Sequence, residues 1–259
     1  MMYWANPFES AVDYYLYPKV ANKKQPLCPT YNIAGTECLL MTRSDATCWV
    51  FYCHGNTVTL SDLYVSNIAQ SISERCKCNF VAPAYPAYQG PSGARHDTAI
   101  QQSVQAAYNK ITQDHKQPVY IVGRSLGVAV SLHLDYDDNR PAGVVCISGF
   151  ESVHRLLPCS AMRCVVADRY NNKKALENEH LTDVPKLLIH GDADSLIPID
   201  HVKGLYSAAC NSVLSIVPDM DHCPDASQWE AIYDRLASFV ESSAKLHTLT
   251  DVAYPLWKC

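Results

Sequence analysis

The stretch Val119-Tyr120-Ile121-Val122-Gly123-Arg124-Ser125-Leu126-Gly127-Val128-Ala129-Val130 decides the fold. Its first four residues are an apolar, β-prone run of strand length, and the residues from Leu126 onward suit a helix. Between them lies Gly-x-Ser-x-Gly, a strand–turn–helix pattern that lifts a serine out of the end of a sheet. The turn is tight, so the positions flanking the serine must be small to clear the neighbouring strands. The serine then stands at a helix N-terminus, where the helix dipole and free N–H groups favour developing negative charge.

Outward from this turn, five further apolar runs read as buried strands: Cys48–Cys53, Asn79–Ala82, Gly143–Ser148, Lys186–His190 and Val213–Val217. Segments with helical spacing lie between or after them, at Leu60–Glu74, Thr98–Ile111, Leu126–Leu134, Asp200–Ala209 and Gln228–Leu246. Strands alternating with helices indicate βαβ units and a mostly parallel sheet, with helices on both faces. Before Cys48 the pattern changes. Tyr31–Thr42 reads as one or two strands with a turn at Gly35, and residues 8–20 as a short helix. No long linker or repeat interrupts the chain, so 1–259 is expected to form a single α/β domain. The connection from Phe150 to Pro185 exceeds an αβ loop plus one helix. Residues 150–185 are therefore expected to be either an extra surface helix or a small cap inserted over a site.

A serine hydroxyl is a poor nucleophile without a base. Two later strand ends supply acidic and basic partners. After Lys186–His190 comes Gly191-Asp192-Ala193-Asp194-Ser195, and after Val217 comes Pro218-Asp219-Met220-Asp221-His222. The C-terminal ends of parallel strands are where α/β sheets place their sites. The expected arrangement has Ser125 as nucleophile, His222 as base and Asp194 orienting the imidazole. Asp192 is the rival acid; Asp194 is preferred because Asp192 falls within the turn immediately after Gly191. His201 and His247 sit within or late in helices and fit the base role less well. Acyl transfer also needs donors for an oxyanion. The main-chain N–H groups of Asn56, in the His54-Gly55-Asn56-Thr57 turn, and of Leu126, just after the serine, are the candidates.

Composition narrows the function classes. Hydrophobic residues make up 48% and charged residues 18%, enough for a large core and against disorder. The net charge of −5 lacks the basic excess usual in nucleic-acid binding, so no nucleic-acid partner is expected. No apolar run approaches a membrane span. The 12 cysteines could suggest a disulfide framework. However, the first residues do not resemble a signal peptide, and no Asn-x-Ser/Thr site occurs. The cysteines are accordingly read as reduced, mostly buried small hydrophobes. Cys76-Lys77-Cys78 is too closely spaced for a metal site, and no metal is expected.

Together these residues resemble the α/β-hydrolase superfamily. They are most similar to its small intracellular α/β-hydrolase domain-containing serine hydrolases, the group of protein depalmitoylases and related lipid esterases. The resemblance runs from about Cys48 to Phe239. Phe51-Tyr52-Cys53-His54-Gly55-Asn56 resembles the oxyanion strand and loop, and Gly123–Gly127 the nucleophile turn. Asp168-Arg169-Tyr170-Asn171-Asn172 with Val184-Pro185 and His190-Gly191 resembles the approach to the acid loop. The resemblance implies the α/β-hydrolase fold, a Ser125–His222–Asp194 triad, an oxyanion hole at Asn56 and Leu126, and no cofactor. It implies cleavage of an ester or thioester of an acyl chain, carried on a small molecule or an acylated protein. A cytoplasmic location is expected, with peripheral membrane contact compatible with it. Three features depart from the group. Ala84-Tyr85-Pro86-Ala87-Tyr88-Gln89-Gly90-Pro91 replaces a more glycine-rich loop. Met220-Asp221 precedes the histidine where the group has Gly. The N-terminus lacks the cysteine cluster that carries lipid anchors, and Cys259 makes no prenylation box.

Two other readings share the fold. A serine peptidase would need a charged subsite for a substrate terminus; Arg155 and Arg163 in the cap are the residues that could meet a carboxylate. A non-catalytic binding protein would be expected to have lost the nucleophile or the base, and both are present.

Overall fold

Every residue of Cys48–Cys53 (β3) is buried, so this strand must be covered on both faces. Its side chains alternate accordingly: Trp49, Phe51 and Cys53 point into one core, and Cys48, Val50 and Tyr52 into the other. The computed structural model describes residues 29–88, 97–157, 163–164 and 166–248. The expected helix at 8–20 lies outside them, as do Met162, Val165 and Cys259.

Eight strands form one sheet in the order β1-β2-β4-β3-β5-β6-β7-β8. The hairpin of Thr30–Ile33 (β1) and Thr36–Met41 (β2) turns at Ala34-Gly35, where Gly35 has φ 86°. It joins Cys78–Pro83 (β4) antiparallel. The remaining pairs are parallel, through Val119–Arg124 (β5), Gly143–Ile147 (β6), Lys186–Gly191 (β7) and Ser212–Val217 (β8). The expected strands are all present, with ends shifted by a residue or two.

Leu63–Cys76 (α1) and Ala226–Thr248 (α8) cover one face; Asp97–Asp114 (α2), Leu126–Leu132 (α3) and Asp200–Ala208 (α7) cover the other. α1 starts at Leu63 rather than Leu60. The Asp62 carboxylate accepts from Thr59 N and Oγ1, which holds residues 59–62 as a turn and leaves Leu60 buried beneath it. The described part of 150–185 includes several short helices rather than one long one, among them Val153–Leu156 (α4), Asn172–Leu176 (α5) and Glu179–Thr182 (α6). Asn171 and Asn178 cap the last two with side-chain oxygens. The segment is tied back to its own start: Asn172 Nδ2 donates to Phe150 O at 2.8 Å, and Lys173 N to Glu151 O at 3.2 Å.

Strand order reverses at β3 and β5: the chain passes outward to β4, then returns to the other side of β3. A crevice opens at such a switch point, outside the carboxyl ends of the strands.

Candidate functional site

Four loops meet at that crevice, following β3, β5, β7 and β8. After β5, Ser125 adopts φ 52° and ψ −119°, a conformation that non-glycine residues rarely take and that costs about 1–3 kcal/mol. Two constraints impose it. Ser125 N donates to Ile147 O at 2.9 Å, which keeps the turn on the sheet. Gly127 packs so closely that a Cβ there would collide with the Cys53 carbonyl. Ser125 makes no side-chain cap to α3, so its hydroxyl is left to face the crevice.

The structure brings Ser125, His222 and Asp194 together. His222 Nε2 lies 3.1 Å from Ser125 Oγ, and His222 Nδ1 lies 2.9 Å from Asp194 Oδ2. A carboxylate can only accept, so Nδ1 carries the proton and Nε2 is free to accept from the serine. Asp194 is held by its own loop: Oδ1 accepts from Leu196 N at 3.1 Å and Ile197 N at 2.8 Å. Its side chain is fully buried, whereas Ser125 and His222 are 8% exposed. Asp192, the rival acid, points elsewhere and accepts from Asp219 N at 2.7 Å. His201 lies on α7, with its Nδ1 3.3 Å from Glu151 N.

Asn56 and Leu126 flank Ser125 in one cavity of about 600 Å³. Leu126 opens α3, and the first N–H groups of a helix have no intrahelical partner. The Asn56 loop is braced from behind. Tyr88 Oη donates to Asn56 Oδ1, and Tyr85 Oη donates to His54 O at 3.0 Å. The His54 ring stacks on Tyr85 with centroids 3.9 Å apart, and burial holds its pKa down at about 4. Thus the two tyrosines in the glycine-poor loop after β4 support the candidate oxyanion turn. The rest of the cavity wall is largely apolar, with Val58, Phe150, Leu156, Leu196 and Ile197. Phe150 and Leu156 belong to the 150–185 connection, which therefore contributes to the wall. Leu196 is 56% exposed at the cavity.

Three polar residues around the site carry no motif of their own. Arg124 is buried; its guanidinium donates to His222 O at 2.6 Å and lies over the Trp229 ring at 6.0 Å. His190 is fully buried. Its Nε2 donates to Ile197 O at 2.8 Å and sits 3.5 Å from Asp194 Oδ2, while burial lowers its pKa and keeps the ring neutral. The only advance sign of His190 was its place beside Gly191 in the acid loop. Asp221, next to His222, is taken up by main-chain and hydroxyl donors: Oδ1 accepts from Ser195 N, Ser195 Oγ and His222 N. Those donors hold its pKa below the usual carboxylate range. Among the described residues no group of three or more His, Cys, Asp or Glu side chains could hold a metal, and no helix is long and apolar enough to cross a membrane.

No family model matches the chain. It is similar to the alpha/beta hydrolase domain-containing protein aho-3 of Caenorhabditis elegans, with 23% identity over 205 residues. That alignment covers 78% of this chain and 60% of the relative, so the chain spans less than two thirds of the relative's length. Among solved structures it resembles an esterase of Pyrococcus furiosus, with TM-score 0.67, 14% identity, and coverage of 88% of this chain and 96% of that one. The esterase domain of a Rhodothermus marinus protein gives TM-score 0.61 at 16% identity, covering 83% and 97%. The chain has the α/β-hydrolase fold.

Proposed function

We propose that the protein is a serine hydrolase that cleaves an ester or thioester of an acyl chain through a covalent acyl-enzyme. The observation that carries this reading is the hydrogen-bonded series Ser125 Oγ–His222–Asp194, at 3.1 and 2.9 Å, in a mostly apolar cavity. Esterases among the structural relatives support the reaction class.

In this reading, Ser125 Oγ attacks the acyl carbonyl while His222 Nε2 takes its proton. The negative charge passes to the carbonyl oxygen, held by the N–H groups of Leu126 and Asn56. Asp194 stabilises the imidazolium. Collapse of the intermediate breaks the bond to the alcohol or thiol, which leaves with the proton from His222. Water, deprotonated by the same nitrogen, then attacks the acyl-serine, releasing the acid and restoring Ser125. The apolar wall suits the acyl chain. Nine cysteines among the described residues are free, which supports a reducing, cytoplasmic setting. The peptidase reading gains little. Among the described residues lining the cavity, Arg124 is the one Lys, Arg, Asp or Glu, while Arg155 is paired with Glu151 at 3.4 Å.

The test is parallel turnover of p-nitrophenyl esters of increasing chain length, an acyl thioester and aminoacyl anilides. Ester or thioester turnover should dominate and fall by about a thousandfold or more in Ser125→Ala and His222→Ala. Anilide turnover exceeding ester turnover would move the assignment to a peptidase.

A further inference from the structure

We propose that Asp221 is a positioning residue: its carboxylate latches the acid loop to the base loop and so sets the contact between Asp194 and His222. The role rests on the hydrolase reading above.

β7 and β8 pair as far as Gly191 and Val217, and beyond that point the ladder no longer fixes how the two loops lie. Asp194 and His222 both come after the break, yet their side chains must stay within 2.9 Å. Side chains take over where the ladder stops. Asp192 bridges first, accepting from Asp219 N at 2.7 Å. Asp221 bridges next: one oxygen, Oδ1, accepts from Ser195 N at 2.9 Å, Ser195 Oγ at 3.0 Å and His222 N at 2.7 Å.

Ser195 directly follows the acid. The next two N–H groups, of Leu196 and Ile197, go to Asp194 itself. Three successive donors of one turn are thus divided between two carboxylates, one from each loop. Asp194 cannot move along its loop without breaking the Asp221 contacts, and His222 N is held by the same oxygen. Asp221 is exposed, so it does not serve core packing. Among the described residues, the charged and titratable groups near His222 include Asp221 itself, Asp194 with His190 behind it, Arg124 at the His222 carbonyl and the neighbouring Cys223.

The test uses the full chain with a short p-nitrophenyl ester and a fluorophosphonate, comparing wild type with Asp221→Ala, Asp221→Asn and Ser195→Ala. Asp221→Ala should lower kcat by about tenfold to a hundredfold through misplacement, with KM changed by less than about twofold. Asp221→Asn keeps an oxygen acceptor and should recover most of that loss. Ser195→Ala, which removes one donor of three, should fall between wild type and Asp221→Ala. Circular dichroism checks folding; if Asp221→Ala fails to fold, the Asn and Ser195 variants still decide. Unchanged kcat in Asp221→Ala and Ser195→Ala, or an Asn variant that recovers none of the loss, overturns the latch while leaving the hydrolase reading intact. A wild type that neither turns over ester nor labels overturns both.

Discussion

The Arg124 guanidinium donates to the main-chain carbonyl of His222 at 2.6 Å, tying the residue before the candidate nucleophile to the candidate base 98 positions away. With Asp221 holding His222 N, His222 is gripped at both main-chain polar atoms. The planar guanidinium also lies over Trp229, a combination that lysine cannot reproduce. Arg124→Met should therefore lower kcat by about tenfold to a hundredfold. Arg124→Lys should recover only part of this. Steady-state kinetics on one ester checks both, and wild-type kcat in Arg124→Met would rule out the tie.

Gly191 ends β7 just before the acid loop, and a Cβ there would collide with the main-chain carbonyl and carbon of Met220. Backbone cannot swing aside as a side-chain tip can, so β7 and β8 would have to part near the site. Gly191→Ala should cost at least about 1–3 kcal/mol. Denaturant unfolding should show the loss, and kcat should fall with it because the loops carrying Asp194 and His222 separate together.

Lys186 begins β7, at the opposite end from Asp194, and is 1% exposed. Its Nζ donates to the carbonyl of Leu181, to Val184 O at 2.8 Å and to Cys210 O at 2.9 Å, gathering the ends of α6 and α7 onto the sheet. Lys186→Met should leave these carbonyls without their donor and cost about 2–5 kcal/mol. The midpoint of urea unfolding should drop, while kcat of the folded fraction stays near wild type.

Burial lowers the His54 pKa from 6.5 to about 4, so the unfolded chain binds a proton that the native state refuses across that interval. Stability should consequently rise with pH through it. On acidification the loss should begin near pH 6.5 and be complete near pH 4, reaching about 3 kcal/mol from this group. Burial lowers the pKa of His190 and His201 as well, adding to the slope in the same direction. Urea midpoints measured between pH 7 and pH 4 should decline, with a shallower decline in His54→Gln.

Residues at strand ends were the most legible part of the site. Ser125, Asp194 and His222 each follow an apolar run, and parallel strands deliver their C-terminal loops to one crevice. Asp194 could be preferred to Asp192 from turn position, and the structure places only Asp194 against His222. Asp221 stands out in the sequence only as an acid beside His222, and Arg124 only as a residue of the Gly-x-Ser-x-Gly turn; their contacts go to main-chain atoms of distant or neighbouring residues, which no side-chain pattern encodes. The late start of α1 had a local cause of the same kind, the Asp62–Thr59 hydrogen bonds that compete with helix over residues 59–62. The 150–185 connection after β6 is legible only as excess length. Its short helices are capped by Asn171 and Asn178, and its contribution to the cavity, Phe150 and Leu156, depends on how it folds back.

Fluorophosphonate labelling read by intact mass and peptide mapping tests the central claim most directly. One adduct on Ser125 is expected, none in Ser125→Ala, and labelling slowed by about a hundredfold or more in His222→Ala. An unlabelled wild type, or equal labelling of Ser125→Ala, would contradict it.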